Sequence, residues 1–306
     1  MIKAKVIADS IGPANIRLTT FELTYPRFIH AELMTHRAFS RNAASSRAIP
    51  VKKQLERIKK QPATPEVWGL NQPGMQSTKE AVGFRLWLGK KLWVLAGRCA
   101  LVFAWALMKL GFHKQIVNRI TEPWSHITVI VTADQMGFAN MWAQRDHVDA
   151  QPEFRILARK AWVAYNMSTP QRLKIGEWHL PYIKGWDRDE VVNRWYPGDV
   201  KAQTEALKKI STGRCARVSY LNHDGARHLR DDVKLCDRMM NSNPGHWSPF
   251  EHVAQAEPLP SASGNIRGWK QYRKEFETEM TVDLKPWDPD YYQEEVKEFL
   301  AVSGGD

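Results

Sequence analysis

Cysteine is scarce in this sequence, with three residues among 306: Cys99, Cys215 and Cys236. They form no Cys-x-x-Cys pair and have none of the spacings typical of metal ligands. This sparse, odd set argues against a disulfide-stapled secreted scaffold and against a zinc module. We therefore predict reduced thiols, no metal site and a cytoplasmic protein, in the cytoplasm of a host cell if the protein is viral.

Long uncharged hydrophobic runs are also missing. The most apolar stretch, residues 92–110, contains Arg98 and Lys109, which leaves no run of about 18 uncharged apolar residues. Residues 1–7 alternate like a strand and lack the apolar core of a secretory signal. We therefore expect no secretory signal, no membrane partner, and a buried core helix at 92–110 in preference to a membrane span.

Positive charge and tryptophan are abundant. The net charge is +11, and the chain contains 13 Trp. Aromatic side chains bury a large surface each, so a sizeable core is feasible without disulfides. The charge favours an anionic partner such as nucleic acid, a nucleotide or a phosphorylated cofactor, or it reflects solvated lysines. Composition alone does not distinguish an anionic partner from solvated lysines.

The pattern of apolar residues predicts strands first and helices afterwards. Residues 1–25 fit two strands joined by a turn at 11–15, whereas 40–47 lack periodicity and are predicted to be a loop. Residues 61–80 are a connector rich in proline and glycine, and 303–306 are predicted to be a disordered tail. Helical patterns occupy 26–38, 81–122, 132–166, 201–212 and 226–241.

One polar segment has a composition suited to anions. Residues 35–47 read T-H-R-A-F-S-R-N-A-A-S-S-R. Small residues let backbone N–H groups approach a ligand, and arginine forks bind phosphate oxygens. The residues alone are compatible with a nucleotide-binding loop and equally with a solvated basic turn.

This segment resembles the motif R-H-R-x-x-S-x-N-E-x-S-x-R-Y of the flavin-dependent thymidylate synthases. The positions in register are His36, Arg37, Ser40, Asn42, Ser45 and Arg47. Residues 26–34 are similar to the P-x-F-x-x-R-Q-W helix that precedes the motif in the family. Four positions depart from the family pattern, namely Glu32 for Gln, Thr35 for Arg, Ala43 for Glu and Ala48 for Tyr.

Further segments resemble the same family. Residues 140–155 are similar to N-x-x-x-x-R-x-x-x-x-A-Q-x-E-I-R, and 111–123 to G-V-x-x-E-x-A-R-x-x-L-P. Residues 215–220 and 245–252 resemble A-A-R-V-S-Y and G-H-x-S-P-F-E-H, which the family carries before the first motif. We therefore infer a circular permutation. Residues 266–273 support this inference, because they resemble a degenerate copy of the helix that precedes the first motif in the family.

The chain is thus identified as a divergent, phage-like, permuted member of this family, matched over roughly half its length. The resemblance implies an α+β fold, with an antiparallel or mixed sheet packed against helices in a single catalytic domain over 1–302. We divide that domain into a motif segment (1–60), an insert (61–110), a helical substrate and flavin segment (111–166) and a permuted flavin segment (211–275). Residues 50–105 and 165–210 match no family motif.

The resemblance also implies an activity. The family methylates dUMP to dTMP with methylenetetrahydrofolate, FAD and NADPH, without a cysteine nucleophile, in a homotetramer with shared active sites. The implied cofactor-binding residues are His36, Arg37, Asn140, Ser219, His246 and Ser248. The implied substrate-binding residues are Ser45, Arg47, Arg119 and Arg145, with Arg145 near the pyrimidine as the catalytic residue. Glu32, which departs from the family pattern, is a further substrate-binding candidate.

Three alternatives stay open. Thr35, Asp134 and Met136 replace residues that the family uses for flavin, so a flavin-binding protein without turnover is one alternative. Glu32 can accept a hydrogen bond from a cytosine amino group, which admits dCMP as substrate, or a hydroxymethyl product. A non-catalytic nucleic-acid-binding protein is the third alternative, although no stable nucleic-acid complex is expected.

Overall fold

The structure is a computed structural model that describes residues 1–220, 228–242 and 245–276, together with Lys297. The strands are β1 (Lys3–Ile11), β2 (Arg17–Pro26), β3 (Ser40–Ala43), β4 (His126–Asp134), β5 (Gln171–Arg172), β6 (Trp178–His179), β7 (Ala254–Ala256), β8 (Ala262–Ser263), β9 (Ile266–Arg267) and β10 (Trp269–Gln271). The α-helices are α1 (His30–Met34), α2 (Val51–Lys60), α3 (Gly83–Lys109), α4 (Lys114–Val117), α5 (Gln135–Arg145), α6 (Pro152–Asn166), α7 (Gly185–Glu190), α8 (Val200–Arg217) and α9 (Leu229–Met240). The predicted tail at 303–306 lies outside the described residues.

The main sheet has the strand order β3-β4-β2-β1-β5. β1 and β2 form the predicted hairpin, and Asn15 in its turn adopts φ 57°, a left-handed conformation that asparagine tolerates better than most residues. β5 pairs with β1 in parallel, while the other pairs are antiparallel. This mixed sheet is packed against helices, which confirms the predicted α+β class.

Two elements differ from the sequence predictions. Ser40–Ala43 forms the edge strand β3 and not a loop, with Ser40 and Asn42 buried and the residues between and after them half-buried. His126–Asp134 forms β4 in the interior of the sheet, whereas no strand was predicted there. Its sequence H-I-T-V-I-V-T-A-D is rich in β-branched residues, which pack well on a pleated surface.

The largest core lies between the main sheet and helices α5 and α6. Phe21 on β2 meets Phe138 on α5 edge to face, with ring centroids 5.0 Å apart. Phe154 and Leu157 on α6 are fully buried in the same cluster. This packing fixes the C-terminal end of α5, where Arg145 is found, relative to the sheet.

Helix α3 corrects another prediction. It is long and apolar enough to cross a membrane, yet only 17% of its most apolar 18-residue window is buried. Gly97, Ala100 and Ala104 are its buried residues, and they form a narrow strip against the rest of the chain. The prediction of a buried core helix is therefore wrong for the described part of the chain.

Helices α8 and α9 pack together through a buried ionic cluster. Arg214 donates from Nη1 and Nη2 to the carboxylate of Asp187, at 2.6 and 2.9 Å, and from Nε to Asp232 at 3.0 Å. Arg217 donates from Nε to the other oxygen of Asp232 at 2.5 Å. Both aspartates are buried. The cluster joins α7, α8 and α9 and sets the position of the segment that follows α8.

Candidate active site

Motif segments that are far apart in sequence meet at β3. The Asn42 side-chain amide donates to the Cys215 carbonyl at 2.7 Å, and Ser219 Oγ donates to Asn42 Oδ1 at 3.1 Å. The backbone N–H of Ser45 donates to the Ser219 carbonyl at 3.1 Å. The first motif is thus bonded directly to the C-A-R-V-S-Y segment, and two predicted site residues, Ser45 and Ser219, come together.

A third segment reaches the same strand from the far end of the described chain. Gln271 donates from Nε2 to Ser40 Oγ at 2.8 Å and to the Glu251 carbonyl at 3.1 Å. Asn265 donates to the Ala38 carbonyl at 3.0 Å. Segments 38–45, 215–219, 251 and 265–271 therefore form one hydrogen-bonded unit.

A buried chain of hydrogen bonds connects this unit to the sheet. Ser10 Oγ and His179 Nδ1 are 2.9 Å apart, and His179 Nε2 lies 2.8 Å from Thr20 Oγ1. Thr20 bonds Thr132 at 2.7 Å, and Thr132 bonds His252 Nδ1 at 2.8 Å. Burial lowers the pKa of His179 to about 4 and that of His252 to about 3, so both imidazoles are neutral near pH 7.

These two histidines predict an acid-sensitive fold. An unfolded histidine has a pKa near 6.5, so between about pH 6.5 and 4 the unfolded chain binds protons that the folded chain excludes. Their contribution is complete above pH 6.5 and is lost as the pH falls, by an amount on the order of a few kcal/mol. Urea unfolding measured from pH 7.5 to 4.5 should show this loss.

Two variants make the acid test specific. H179N removes a titrating group from the buried chain and should flatten the dependence of unfolding free energy on pH. H147Q replaces an exposed histidine outside the buried chain and serves as the matched control. Equal slopes for the two variants would contradict this origin of the acid sensitivity.

Arg145, the predicted catalytic residue, binds three residues of the first motif and its lead-in. Its Nε donates to His36 Nε2 at 3.0 Å, and its Nη1 donates to Glu32 Oε2 at 3.1 Å. Its Nη2 donates to Thr35 Oγ1 at 2.9 Å. The guanidinium also lies 4.8 Å from the ring centroid of Phe154. The structure thus brings together Arg145, His36 and Glu32, all predicted site residues.

The electrostatics of this cluster follow from burial and from Arg145. Burial, with the charges of Arg145 and Arg41, lowers the pKa of His36 to about 4, so its Nε2 is free to accept from Arg145. Burial raises the pKa of Glu32, and the charge of Arg145 opposes that rise. Glu32 and Thr35 are two of the four positions that depart from the family pattern, and both bind Arg145. These two departures from the family pattern therefore both bind the same cation, Arg145.

The phosphate-binding candidates lie on or near the surface. Arg119 donates to Glu122 Oε1 at 3.2 Å, and Ser46 donates to the same oxygen at 2.6 Å. Arg37 and Arg47 are exposed and form no ion pair or hydrogen bond with any residue that the structure describes. These two exposed cations are available to an anionic ligand.

His246 lies beside a basic cavity of about 690 Å³. Arg217 lines it as well, together with Lys234 and Arg238 from α9. Sequence comparison missed the latter two because α9 carries no family motif, although their spacing of four residues places them on one helix face. Asp231 is the acidic residue at the rim. The excess of cations suits a phosphorylated ligand.

Three further positions bear on the site: Asn140 and Ser248 are predicted site residues, and Asp134 replaces a residue that the family uses for flavin. Asn140 is exposed on α5 and accepts a hydrogen bond from Gln144 at 3.1 Å. Ser248 is exposed at the start of a 3₁₀ turn. Asp134 caps α5 by accepting from the backbone N–H groups of Met136 and Gly137 at 2.9 Å each, and it forms an ion pair with Arg267 at 3.2 Å. In the described residues, Asn140, Arg119 and His246 form no hydrogen bond or ion pair with the Arg145 cluster.

No protein-family model matches this chain, and no curated protein matches it. Among solved structures, the UMP/dUMP methylase PolB from Streptomyces cacaoi bound with 5-Br dUMP is 13% identical, with a TM-score of 0.46, over 54% of this chain and 90% of that chain. Thymidylate synthase X from Helicobacter pylori with FAD and dUMP is 16% identical, with a TM-score of 0.36, over 48% of this chain and 67% of that chain. Similarity of this extent assigns no activity to the present chain.

Proposed function

We propose that this chain is a flavin-dependent enzyme that methylates dUMP to dTMP, with methylenetetrahydrofolate as one-carbon donor and NADPH as reductant. The observation that supports it most is the hydrogen-bonded unit at β3. Four segments that resemble motifs of one family lie up to 231 positions apart in sequence, yet they bond to one another there. A chance resemblance gives no reason for these segments to meet.

The nucleotide would be held by cations around the first motif. Arg47 is exposed, and Arg119 keeps part of its fork free because Glu122 binds its Nη1 alone. Arginine binds phosphate in a planar, bidentate manner, which suits both residues to the 5′-phosphate. Ser45 would contribute its hydroxyl, and Arg145 would lie near the pyrimidine.

The residues present fit FAD. A large cavity lined by Arg217, Lys234, Arg238 and His246 offers positive charge to a pyrophosphate. His36, Arg37, Asn140, Ser219 and Ser248 are the further residues that we propose to hold the cofactor. When bound, FAD would carry the one-carbon unit and supply the hydride, so the protein's own task is binding, orientation and electrostatics.

Arg145 is the residue that we propose to act on the reaction itself. Its guanidinium is held by hydrogen bonds from all three nitrogens and by Phe154 on one face, so its position is fixed before substrate binds. A fixed cation stabilises negative charge that develops on the pyrimidine ring during methyl transfer. A thiol nucleophile is not required, and burial raises the pKa of Cys215, which keeps that thiol protonated and unreactive.

The assembly and the order of segments belong to the same proposal. We infer that residues 211–275 are the permuted counterpart of the segment that precedes the first motif in the family. We also propose a homotetramer in which neighbouring subunits complete the active sites. Sedimentation of the purified protein tests the second point, because a monomer that turns over substrate would exclude shared sites.

The decisive experiment is turnover by the purified protein reconstituted with FAD. NADPH, methylenetetrahydrofolate and dUMP are supplied, and the nucleotide product is identified by mass. The expected result is dTMP together with a flavin absorbance spectrum. A protein that takes up no FAD, or one that takes it up and leaves all pyrimidine nucleotides unchanged, would reject the proposal.

A second candidate substrate, dCMP, is favoured by Glu32. Its Oε2 binds Arg145, whereas its Oε1 accepts no hydrogen bond from any described residue. A carboxylate oxygen in this position can accept from the amino group of cytosine, which uracil lacks. The product would then be a methylated or hydroxymethylated cytosine nucleotide.

The variant E32Q tests this candidate. If Glu32 selects cytosine, E32Q should lower the ratio of kcat/KM for dCMP to that for dUMP by roughly 10- to 100-fold, the value of one charge-assisted hydrogen bond. D146N is the matched control, because Asp146 is an exposed carboxylate paired with Arg159. An unchanged ratio in E32Q, or dCMP that is inert in the native protein, would reject cytosine selection.

A further inference from the structure

Helix α3 carries an apolar stripe on its outer face that none of the described residues covers. Its six apolar side chains follow one another at intervals of four, four, three, seven and one residues, so they lie along one side of the helix. We call them the outer stripe: Phe84, Leu88, Leu92, Leu95, Val102 and Phe103. Phe84 is 71% exposed and Phe103 65%, values unusual for side chains of this size. Such a stripe marks a binding surface.

Positive charge and tryptophan border the outer stripe. Lys91, Arg98 and Lys109 are spaced by 7 and 11 residues, whole numbers of turns, so they form a row along one edge of the stripe. Trp87 and Trp105 lie next to this row, with Lys91 Nζ 5.9 Å from the Trp87 ring and Lys109 Nζ 5.6 Å from the Trp105 ring. The sequence contains no Asp or Glu between Glu80 and Glu122. The whole face is therefore apolar or cationic.

In contrast to the sequence prediction of no membrane partner, we propose that the outer face of α3 binds the surface of an anionic lipid bilayer, with the helix lying in the plane of the interface. Helices that bind in this way combine an apolar face with lysine or arginine beside it, and aromatic side chains favour the headgroup level. The long side chains of the cation row can keep their charges among lipid phosphates while the stripe enters the acyl region. The net charge of +11 adds long-range attraction to such a surface.

The inner face of α3 excludes a membrane-spanning arrangement. Trp93 donates from its indole to the Ala63 carbonyl at 2.8 Å, and Trp124 donates to the Trp93 carbonyl at 3.0 Å. A side chain at Gly97 would come within 2.8 Å of the Trp124 ring, so helix and ring are in close contact. Spanning would break these contacts and place Arg98 near the bilayer centre, where a charge is costly.

A second copy of the chain fits this face less well than lipid does. In an antiparallel symmetric pair the row Lys91, Arg98 and Lys109 would face an identical cationic row, and in a parallel pair it would face the opposite edge of the apolar stripe. Residues 81–121 supply no carboxylate to pair with it. Lipid phosphates supply the missing negative charge.

Vesicle flotation of the purified full-length protein tests the proposal. Vesicles of phosphatidylcholine with about one third phosphatidylglycerol should bind the protein, and pure phosphatidylcholine vesicles should bind it at least about tenfold more weakly. Binding to the anionic vesicles should weaken as salt is raised. Neutralising the row in K91Q/R98Q/K109Q should weaken that binding roughly 100-fold, whereas the matched triple variant R172Q/K174Q/K201Q should change it far less.

A second pair of variants separates the stripe from general charge effects. L95E/V102E places two carboxylates in the stripe and should abolish flotation. V200E/L259E makes the same changes at two exposed apolar positions elsewhere and should float like the native protein. Circular dichroism and the melting temperature establish that each variant is folded.

Three outcomes would overturn the proposal. The first is a native protein that does not float with anionic vesicles, or an L95E/V102E variant that floats as well as V200E/L259E. The second is an oligomer that L95E/V102E dissociates without any vesicle binding, which would assign the face to a second copy. The third is native protein that resists alkaline carbonate extraction from vesicles, which would indicate a spanning helix.

Discussion

The variant R145K is expected to lower kcat/KM for nucleotide methylation by roughly 100- to 1000-fold while the protein stays folded and retains flavin. Lysine keeps the charge but lacks the planar fork with which Arg145 donates to His36, Glu32 and Thr35 together. Lysine also lacks the planar guanidinium face that packs on the ring of Phe154. The charge would remain while its position beside the pyrimidine would be lost, so the effect should fall mainly on kcat.

Steady-state kinetics with separate kcat and KM values measure this effect. R159K is the matched control, because Arg159 is an exposed arginine that donates from Nε to Asp146 at 2.6 Å. The control should stay within about twofold of the native enzyme. An R145K variant that turns over as fast as R159K would remove Arg145 from the proposed reaction.

The variant R214M should lower the free energy of unfolding by about 3–5 kcal/mol. Arg214 is the cation between the two buried carboxylates of Asp187 and Asp232. Without it, Asp187 loses two charge-assisted hydrogen bonds in a fully buried position. Arg217 would still bind Asp232, so the loss should arise chiefly at Asp187.

Urea unfolding of R214M and of R214M/D187N tests that origin. The second variant also removes the charge of the buried carboxylate that Arg214 binds, and it should recover part of the lost stability. R194M is the control, because Arg194 is 76% exposed in its pair with Glu190 and should contribute less than about 1 kcal/mol. A loss in R214M no larger than that in R194M would contradict a structural role for the cluster.

The strands show which parts of the fold the sequence could predict. The β1–β2 hairpin was predicted because a turn with glycine, proline and asparagine separates two β-rich runs, a local pattern. β3 was predicted as a loop because its four residues, three of them polar, form a strand only against β4, whose residues lie about 90 positions later. β4 itself has a strong β-branched run, which the search for helical periodicity overlooked.

The family motifs selected some candidate residues that lie together in the structure. Arg145 and His36 were both assigned by resemblance, Glu32 and Thr35 were marked as departures, and Arg145 donates to all three. Their roles stay predictions. Lys234 and Arg238 belong to no motif, and only tertiary packing brings α9 to the cavity beside His246. The local sequence of α9 does not predict this tertiary contact.

Helix α3 shows a different limit of sequence reasoning. Its apolar residues predict that water is excluded from the helix, but hydropathy does not say whether protein or lipid excludes it. The interruption by Arg98 favoured a buried core helix, whereas the structure buries only the small residues Gly97, Ala100 and Ala104. The identity of the neighbour depends on three-dimensional exposure.

The long separations in the hydrogen-bonded unit at β3 also set the order of events during synthesis. Ser40 can accept its hydrogen bond from Gln271 only after Gln271 has been synthesised, 231 residues later. At usual rates of translation this delay is on the order of 10 to 50 seconds. Throughout that interval the nascent chain exposes the sheet edge beside Asn42 and Ser40, whose polar side chains make it a poor template for aggregation. The hydrogen bonds of this unit are therefore completed only after Gln271 has emerged.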